Sequence, residues 1–239
     1  MTGRNAPNPK TTSDGRSIMG GSKTLSEQWE IDTTKFHTGI GPGIGPGIGL
    51  RSCHLFEIME TKPDLKWLEV HSENYFGGGL PLKYLDQIRA DYELSFHGVA
   101  LSLGTATGLD TNHLQRLKEV VDRFDPILVS EHVAWAQIHG RHLNDLLPVP
   151  YTEEALKIVC QNVDHMQNFL GRQILVENPS TYLEFSDSVI PETEFMVEVA
   201  GRTGCGLILD INNVYVSATN HGFDPFAYVE KIPGHLVGE

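Results

Sequence analysis

Short apolar runs that end in an acid, an amide or a histidine recur from residue 47 onward. The most regular is Leu207-Ile208-Leu209-Asp210-Ile211-Asn212-Asn213, which follows a Gly-Cys-Gly turn. Nearly unbroken Leu and Ile is typical of a strand that is buried on both faces of a parallel sheet. Five further runs share this design and begin near Ile48, Trp67, Leu94, Ile127 and Ile174.

Between these runs the apolar spacing changes from strand-like to helical. The pattern predicts a helix over about residues 81–92 and another after Thr111 as its N-cap. Thr152 opens a longer helix that ends before Gly171. A further helix begins at Pro191 and a last one at Asp224-Pro225, whereas residues 220–222 are expected to be loop. Strands and helices therefore alternate about six times, which predicts parallel strands joined by right-handed crossovers.

Two α/β architectures fit this alternation, a doubly wound sheet and a TIM (β/α)8 barrel. Polar residues at every strand end favour the barrel, whose active site draws on many strands. A doubly wound sheet concentrates its site at one switch point. Residues 235–239 resemble the approach to a seventh strand. The sequence thus predicts a TIM barrel truncated after about six βα units, with open edges near Ile48 and Leu209.

The domain organisation follows from composition. Residues 1–36 are rich in Ser, Thr, Gly and Asn and are expected to be a disordered tail, while residues 37–239 form the partial barrel. The Gly-Ile-Gly-Pro tandem near residues 39–49 lacks the Lys-Ser/Thr of a phosphate-binding loop. It is therefore not interpreted as a nucleotide site.

Charge and cysteine content limit the classes of binding partner and the cellular location that the sequence is compatible with. The 239 residues include 31 acidic and 18 basic side chains, for a formal net charge of -13, which argues against nucleic acid or an anionic membrane as partner. No apolar run reaches the length of a membrane span, and the amino terminus has no signal-peptide core. Three scattered cysteines without a C-x-x-C pair indicate reduced thiols. The expected location is the cytoplasm.

The polar strand ends form the candidate site. Their ionisable members, each from a different strand, are His54, Glu73, His97, Glu131, Glu177 and Asp210. Four converging carboxylates would repel one another unless a cation were bound. Imidazole with carboxylate points to iron, manganese or zinc, and six ligands exceed the need of one ion.

Neighbouring polar residues are assigned supporting roles. His132, Asn178, Asn212 and Asn213 are expected to orient the ligands by hydrogen bonds. Glu69, His71 and Glu73 share strand parity, but Glu69 would lie roughly 13 Å below Glu73 at about 3.3 Å per residue, too deep to share an ion. His221 is not expected to be a ligand.

A family resemblance rests on several motifs taken together. They are Gly49-Leu50-Arg51-Ser52-Cys53-His54, Glu73-Asn74-Tyr75, His97-Gly98-Val99-Ala100-Leu101-Ser102-Leu103-Gly104, Ser130-Glu131-His132, Leu146-Leu147-Pro148-Val149-Pro150, Glu177-Asn178-Pro179-Ser180-Thr181-Tyr182 and Leu209-Asp210-Ile211-Asn212-Asn213-Val214-Tyr215-Val216. Together, over about residue 37 to the end, they resemble the multinuclear non-haem iron-dependent oxidase family. The iron oxidase of methanobactin biosynthesis belongs to that family.

The resemblance implies a (β/α)8 barrel that holds two or three irons. It implies use of O2 to modify residues, often cysteines, of a ribosomally made precursor peptide, commonly delivered by a partner protein. The six candidate ligands match positions that look like family metal ligands, and we expect His97, Glu131 and Asp210 to be catalytic. The family's later His-Leu-Ala-Gly-His-like motif and its Asp and His ligands do not occur in this sequence.

Two other functions remain open at this point. A sugar isomerase or endonuclease of the divalent-metal barrel type would use the same His, Glu and Asp residues without redox chemistry. A truncated, inactive barrel that acts only by binding a partner is the second. Oxidation differs from both because it needs a metal that changes valence.

Overall fold

Eight strands are present within residues 45–138 and 141–239, which the computed structural model describes. They are β1 (Ile48–Gly49), β2 (Trp67–His71), β3 (Glu93–Gly98), β4 (Leu128–His132), β5 (Trp135–Ile138), β6 (Arg141–Leu147), β7 (Leu175–Glu177) and β8 (Gly206–Ile208). Six of them form one sheet in the order β1-β2-β3-β4-β7-β8, and every neighbouring pair is parallel. This sequential parallel order confirms the predicted α/β class and is that of a (β/α)8 barrel. The tail predicted over residues 1–36 lies outside the described residues.

Helices connect these strands. They are α1 (Leu55–Thr61), α2 (Gly79–Arg89), α3 (Thr111–Phe124), α4 (Glu153–Leu170), α5 (Glu192–Thr203), α6 (Ile211–His221) and α7 (Pro225–Glu230). The sequence pattern did not predict α1 or α6. The expected loop at residues 220–222 is instead the last turn of α6 and its Gly222 cap, whose φ of 77° is in the left-handed region. Asn and Thr have low helix propensity, so burial of Val214 and Ala218 decides this segment.

The two faces of the sheet have different chemistry. Alternate strand residues such as Leu68, Phe96 and Val176 are fully buried and pack against the helices in one large core. The intervening residues face the other side. There, Leu128, Leu175 and Ile208 form a small separate apolar cluster, and His97, His132 and Glu177 lie on this same face.

An antiparallel hairpin, β5–β6, interrupts the alternation between β4 and α4. The sequence did not predict it because residues 141–145 are all exposed, so no apolar alternation marks β6. Trp135 anchors its base, since the indole Nε1 donates to the Pro148 carbonyl at 3.0 Å. The hairpin thus adds a polar flap on the side of the sheet where β4 ends.

One sheet edge differs from expectation. The edge near Leu209 was expected to be open, but the Gly238 N–H donates to the Leu207 carbonyl at 2.8 Å, and Leu207 pairs in parallel with Val237. Residues 237–239 therefore run parallel to β8 and pair with it through one bridge. The pairing lies in the segment that the sequence indicated as the approach to a seventh strand.

Helix capping also corrects one assignment. Thr152 and Asp224 cap α4 and α7 as predicted, through side-chain oxygens that accept from backbone N–H groups. At α3 the cap is Asp110, which accepts from the N–H groups of Asn112 and His113, and Thr111 is the first helical residue. Asp110 carries the negative charge that is favourable at a helix N-terminus, and its carboxylate accepts two hydrogen bonds there.

The cap of α3 gives a test of this assignment. Asp110→Ala should lower the free energy of unfolding by about 1 kcal/mol, since two backbone donors lose their acceptor. The adjacent Thr111→Ala should change it by less than about 0.5 kcal/mol, because Thr111 is exposed. Urea unfolding followed by circular dichroism measures both. An equal loss in the two variants would contradict the placement of the cap.

Candidate metal centre

Three buried side chains form a compact group at the carboxyl ends of β3, β4 and β7. His97, His132 and Glu177 each offer one ligand atom, and these atoms all lie within 4.8 Å of one another. The Nε2 of His97 is 2.9 Å from the Nε2 of His132 and 3.1 Å from Oε2 of Glu177. The Nδ1 of His132 is 3.5 Å from the same carboxylate oxygen. Two imidazoles and a carboxylate at this spacing suit a transition metal.

Strand register explains why these three side chains meet. His97 is paired with Ser130, and His132 with Glu177, in neighbouring parallel strands. Because Ser130 and His132 are two residues apart, they face the same side of the sheet. The hydroxyl of Ser130 is 2.8 Å from Nδ1 of His97. This contact leaves Nε2 of His97 directed at the other two ligand atoms.

Burial keeps both histidines in the form that binds metal. Desolvation, followed by the neighbouring His132, lowers the pKa of His97 to about 4. Desolvation and the nearby His71 lower the pKa of His132 to about 4 as well. Both imidazoles are therefore neutral at neutral pH, with a nitrogen lone pair available to each.

Glu177 is surrounded by other acids. Burial raises its pKa to about 9, and contact with the Asp210 carboxyl adds to the shift, followed by the charges of Glu69 and Glu131. The amide of Asn213 donates to Oε1 of Glu177 at 2.9 Å. A divalent cation would neutralise this concentration of carboxyl groups, which otherwise costs free energy.

Two orphaned atoms also fit a cation. Nδ1 of His132 and Oε2 of Glu73 are buried and have no hydrogen-bond partner within the part of the chain that the structure describes. Buried polar atoms are normally satisfied, and leaving one unpaired costs about 1–3 kcal/mol. Both are lone-pair donors of the kind that iron, manganese or zinc binds. The donor set therefore fits a metal on structural grounds.

Asp210 lies beside this group at the start of α6. Its Oδ1 accepts from the N–H of Asn213 at 2.8 Å and so caps the helix. Asn178 donates to the Asp210 carbonyl and accepts from the Asp210 N–H, at 3.2 and 2.9 Å. Asn178 and Asn213 therefore hydrogen-bond to Asp210 and Glu177, whereas Asn212 is exposed in the first turn of α6. Their role in orienting metal ligands stays a prediction.

Glu131 is fully buried but faces away from its neighbour His132. It accepts hydrogen bonds from the N–H of Leu101 at 3.1 Å and of His132 at 3.0 Å. Burial, followed by the charge of Glu73, raises its pKa well above the usual value. A Cβ at Gly98 would lie 2.6 Å from its Oε2, so a glycine is needed where this carboxyl group sits.

Glu73 follows β2 in a 3-10 helix, Ser72–Tyr75. Its Oε1 accepts from the N–H groups of Val99 and Ala100 at 2.9 and 3.0 Å. Burial alone would raise the pKa of Glu73, but the bonds from His113 and Val99 outweigh it and hold the pKa below its usual range. His113, whose Nε2 is 3.4 Å from Glu73, was not found from sequence, since a lone His in a helix carries no motif.

His54 is not brought to the group. It ends a 3-10 helix, Ser52–His54, with its side chain 56% exposed and its Nδ1 3.5 Å from Glu57. The other five predicted ligands are linked by the contacts and charges described above. A ligand role for His54 stays a prediction.

Two neighbours were assigned other roles from sequence. His132 was expected to orient ligands, but the structure puts its ring among the candidate ligands. Glu69 was expected to be too deep to share an ion, which stays a prediction, although its charge affects the pKa of both His97 and Glu177. The depth argument treated Glu73 as part of the strand, whereas β2 ends at His71 and the chain then turns.

Comparison with known proteins adds three findings. A family model described as the RiPP precursor modification enzyme MbnB/TglH/ChrH matches residues 45–239. A UPF0276 protein of Vibrio vulnificus strain YJ016 is 49% identical over 210 residues, covering 87% of this chain and 70% of that protein. One from Acaryochloris marina is 50% identical over 191 residues, covering 80% and 69%.

Solved structures resemble the chain in fold alone. A D-psicose 3-epimerase crystallised with D-fructose gives a TM-score of 0.51 at 11% identity, covering 80% of this chain and 70% of that one. The D-psicose 3-epimerase of Clostridium cellulolyticum H10 with D-tagatose gives 0.50 at 10% identity over the same shares. Among the described residues, no helix is long and apolar enough to cross a membrane.

The place of His132 can be tested by metal content. His132→Ala should weaken metal binding by at least about tenfold, as ligand losses do. His165→Ala is the matched control, because His165 is exposed on α4. Equilibrium dialysis with ferrous iron and with zinc, followed by elemental analysis, measures both variants. Equal binding by His132→Ala and the parent chain would remove His132 from the candidate ligands.

Proposed function

The chain belongs to the MbnB/TglH/ChrH family of RiPP precursor modification enzymes, and from this premise we propose a specific activity. It is a multinuclear non-haem iron-dependent oxidase that uses O2 to modify cysteine residues of a ribosomally synthesised precursor peptide. The observation that carries the proposal is the buried group of His97, His132 and Glu177 in a chain of this family.

The donor set supports iron as the cofactor. His97, His132 and Glu177 would hold one ion, and Glu73, Asp210 and Glu131 supply carboxylates within the same charge network. These six donors exceed the need of one ion, which supports two or three irons. An iron held by His97, His132 and Glu177 would supply the change of valence that reaction with O2 needs.

The protein's own residues prepare the site. Ser130 and Asn213 fix the orientation of His97 and Glu177. Backbone N–H groups of residues 99–101 anchor Glu73 and Glu131, so these carboxyl groups need little reorganisation when charge changes nearby. The buried surroundings limit access of bulk water, which protects a reactive thiol from side reactions.

Exposed apolar side chains on α6, next to its cap Asp210, support a peptide substrate. Ile211 and Tyr215 are 57% and 64% exposed and lie one turn apart on α6, and Tyr182 in the segment after β7 is 54% exposed. Tyr182 is held by a hydrogen bond to Asp145 of the hairpin. Exposed aromatic side chains next to a buried site are suited to hold an extended peptide.

The remaining parts of the proposal concern partners and location. The net charge of -13 supports a peptide substrate rather than nucleic acid or a membrane surface. A partner protein that delivers the peptide and a cytoplasmic location are included in the proposal. A cysteine thiolate suits the reaction because it coordinates iron and is readily oxidised.

The test compares iron with zinc. A short Cys-containing peptide encoded next to the gene is synthesised, and the protein is loaded anaerobically with ferrous iron. We expect O2 consumption and a mass change only when this peptide is present, and neither with zinc. Equal turnover with zinc would overturn the oxidase and favour the redox-inert hydrolase or isomerase.

The dependence on Glu177 gives a further prediction. Glu177→Gln keeps the size of the side chain and its contact with Asn213 but removes the negative charge that the carboxylate would carry with iron bound. Peptide turnover with iron should fall by at least about a hundredfold, as loss of one strong electrostatic contact does. Glu194→Gln, on the exposed first turn of α5, is the control and should retain turnover. Full turnover by Glu177→Gln would contradict a ligand role.

A further inference from the structure

A separate cavity of about 560 Å³ lies apart from the candidate metal centre. Its walls come from residues 148–151 before α4, residues 181–193 between β7 and α5, and residues 221–231 from the end of α6 through α7. The volume is in the range of sites that enclose a small molecule or a large side chain. We refer to it as the Glu192 cavity.

Three polar side chains define its chemistry. The hydroxyl of Tyr228 donates to Oε1 of Glu192 at 2.7 Å. The hydroxyl of Tyr151 is buried and faces the same carboxyl group, but it makes no hydrogen bond of normal geometry among the described residues. All three residues line the cavity. A buried hydroxyl that meets a carboxyl group only in poor geometry is a costly arrangement unless a ligand completes its hydrogen bonding.

The charges around the cavity favour a cation. Glu184, Glu192 and Asp224 line it, against Lys231 and the imidazole of His221. His221 lies 2.9 Å from the hydroxyl of Thr181, so its ring is already engaged. Burial raises the pKa of Glu192, and the hydroxyls of Tyr228 and Tyr151 together with the charge of His221 only partly offset this. A bound cation would favour the ionised carboxylate.

Helix α6 connects this cavity to the metal centre. Its cap, Asp210, is at the centre, and its last residue, His221, lines the cavity. Eleven residue steps at 1.5 Å each place the two ends about 16 Å apart. An extended peptide covers this distance with about five residues.

We propose that the Glu192 cavity binds a lysine or arginine side chain of the precursor peptide while a cysteine about five residues away lies at the metal centre. An ammonium or guanidinium group can donate to the Glu192 carboxylate and to the Tyr151 oxygen at the same time. The apolar stem would pack against Leu183 and Ile190. In the proposed oxidase, the cavity would decide which cysteine of the peptide reaches the metal centre. The part of this inference that concerns the peptide therefore rests on the proposed function.

Small probes test the cavity without any turnover. n-Butylguanidinium is titrated into protein that carries ¹³Cζ-labelled tyrosine, with neutral n-butylurea as the matched probe. Signals of Tyr151 and Tyr228, assigned with Phe variants, should shift with the cation and not with the urea. Glu192→Gln should weaken binding by at least about tenfold, and Glu194→Gln, two residues along the same helix, should leave it unchanged. Equal binding of both probes would overturn the proposal.

A second variant keeps the proposal testable if Glu192→Gln does not fold. Tyr151→Phe removes only a hydroxyl that makes no hydrogen bond of normal geometry, so the thermal unfolding temperature should change little while guanidinium binding weakens severalfold. Should Glu192→Gln unfold, Tyr151→Phe decides the matter by itself. Unchanged binding in Tyr151→Phe would then overturn the proposal.

Peptide binding separates this inference from the oxidase. Fluorescent peptides with Arg five residues before or after Cys are compared by anisotropy with citrulline versions, using zinc-loaded protein. At least one Arg peptide should bind about tenfold more tightly than its citrulline partner, and Glu192→Gln should remove the difference. Equal affinities would overturn the cavity's role. If the Arg peptide binds more tightly than its citrulline partner but the iron-loaded protein consumes no O2, the oxidase proposal would be rejected. The proposed role of the cavity would then stand.

Discussion

The structure depends on one constraint, the alternation of side chains along its parallel strands. Each strand sends one residue set into a large apolar core against the helices and the other to the opposite face. On that face Glu69, His97 and Glu177 occupy positions that a simple barrel would fill with Val, Ile or Leu. Burying them costs free energy that hydrogen bonds from Ser130 and Asn213 only partly offset, so the site is suited to a cation.

Much of the fold could be predicted because its signals are local. Apolar runs followed by polar residues marked all six parallel strands, and Thr152 and Asp224 marked helix starts through a capping mechanism that acts within three residues. The hairpin and α6 escaped prediction. Their residues are exposed or of low helix propensity, and contacts distant in sequence decide their structure, as when Ser217 of α6 accepts from the N–H of Thr181.

The candidate site could be predicted by region but less well by residue. Their position at the end of a strand marked both Glu131 and His132 as candidates. Only the register of the strand pairing tells which of these two consecutive residues faces the inner side of the sheet. His132 is paired with Glu177, so His132 is the residue that faces the inner side. The sequence signal for this was that His132 and Ser130 are two residues apart and share a face. His54 and Glu73 lie in 3-10 turns beyond their strands, where strand alternation no longer predicts direction.

The distribution of the site over several strands separates fold from function. A parallel sheet in chain order is shared with sugar epimerases at about a tenth of sequence identity, and it supplies only the place where polar side chains converge. Specificity then depends on the segments that follow the strands. Here those segments carry the hairpin, the exposed Ile211 and Tyr215, and a cavity with a buried acid. A small sugar needs no second cavity about 16 Å from the candidate metal centre, whereas an extended peptide can contact the centre and the cavity together.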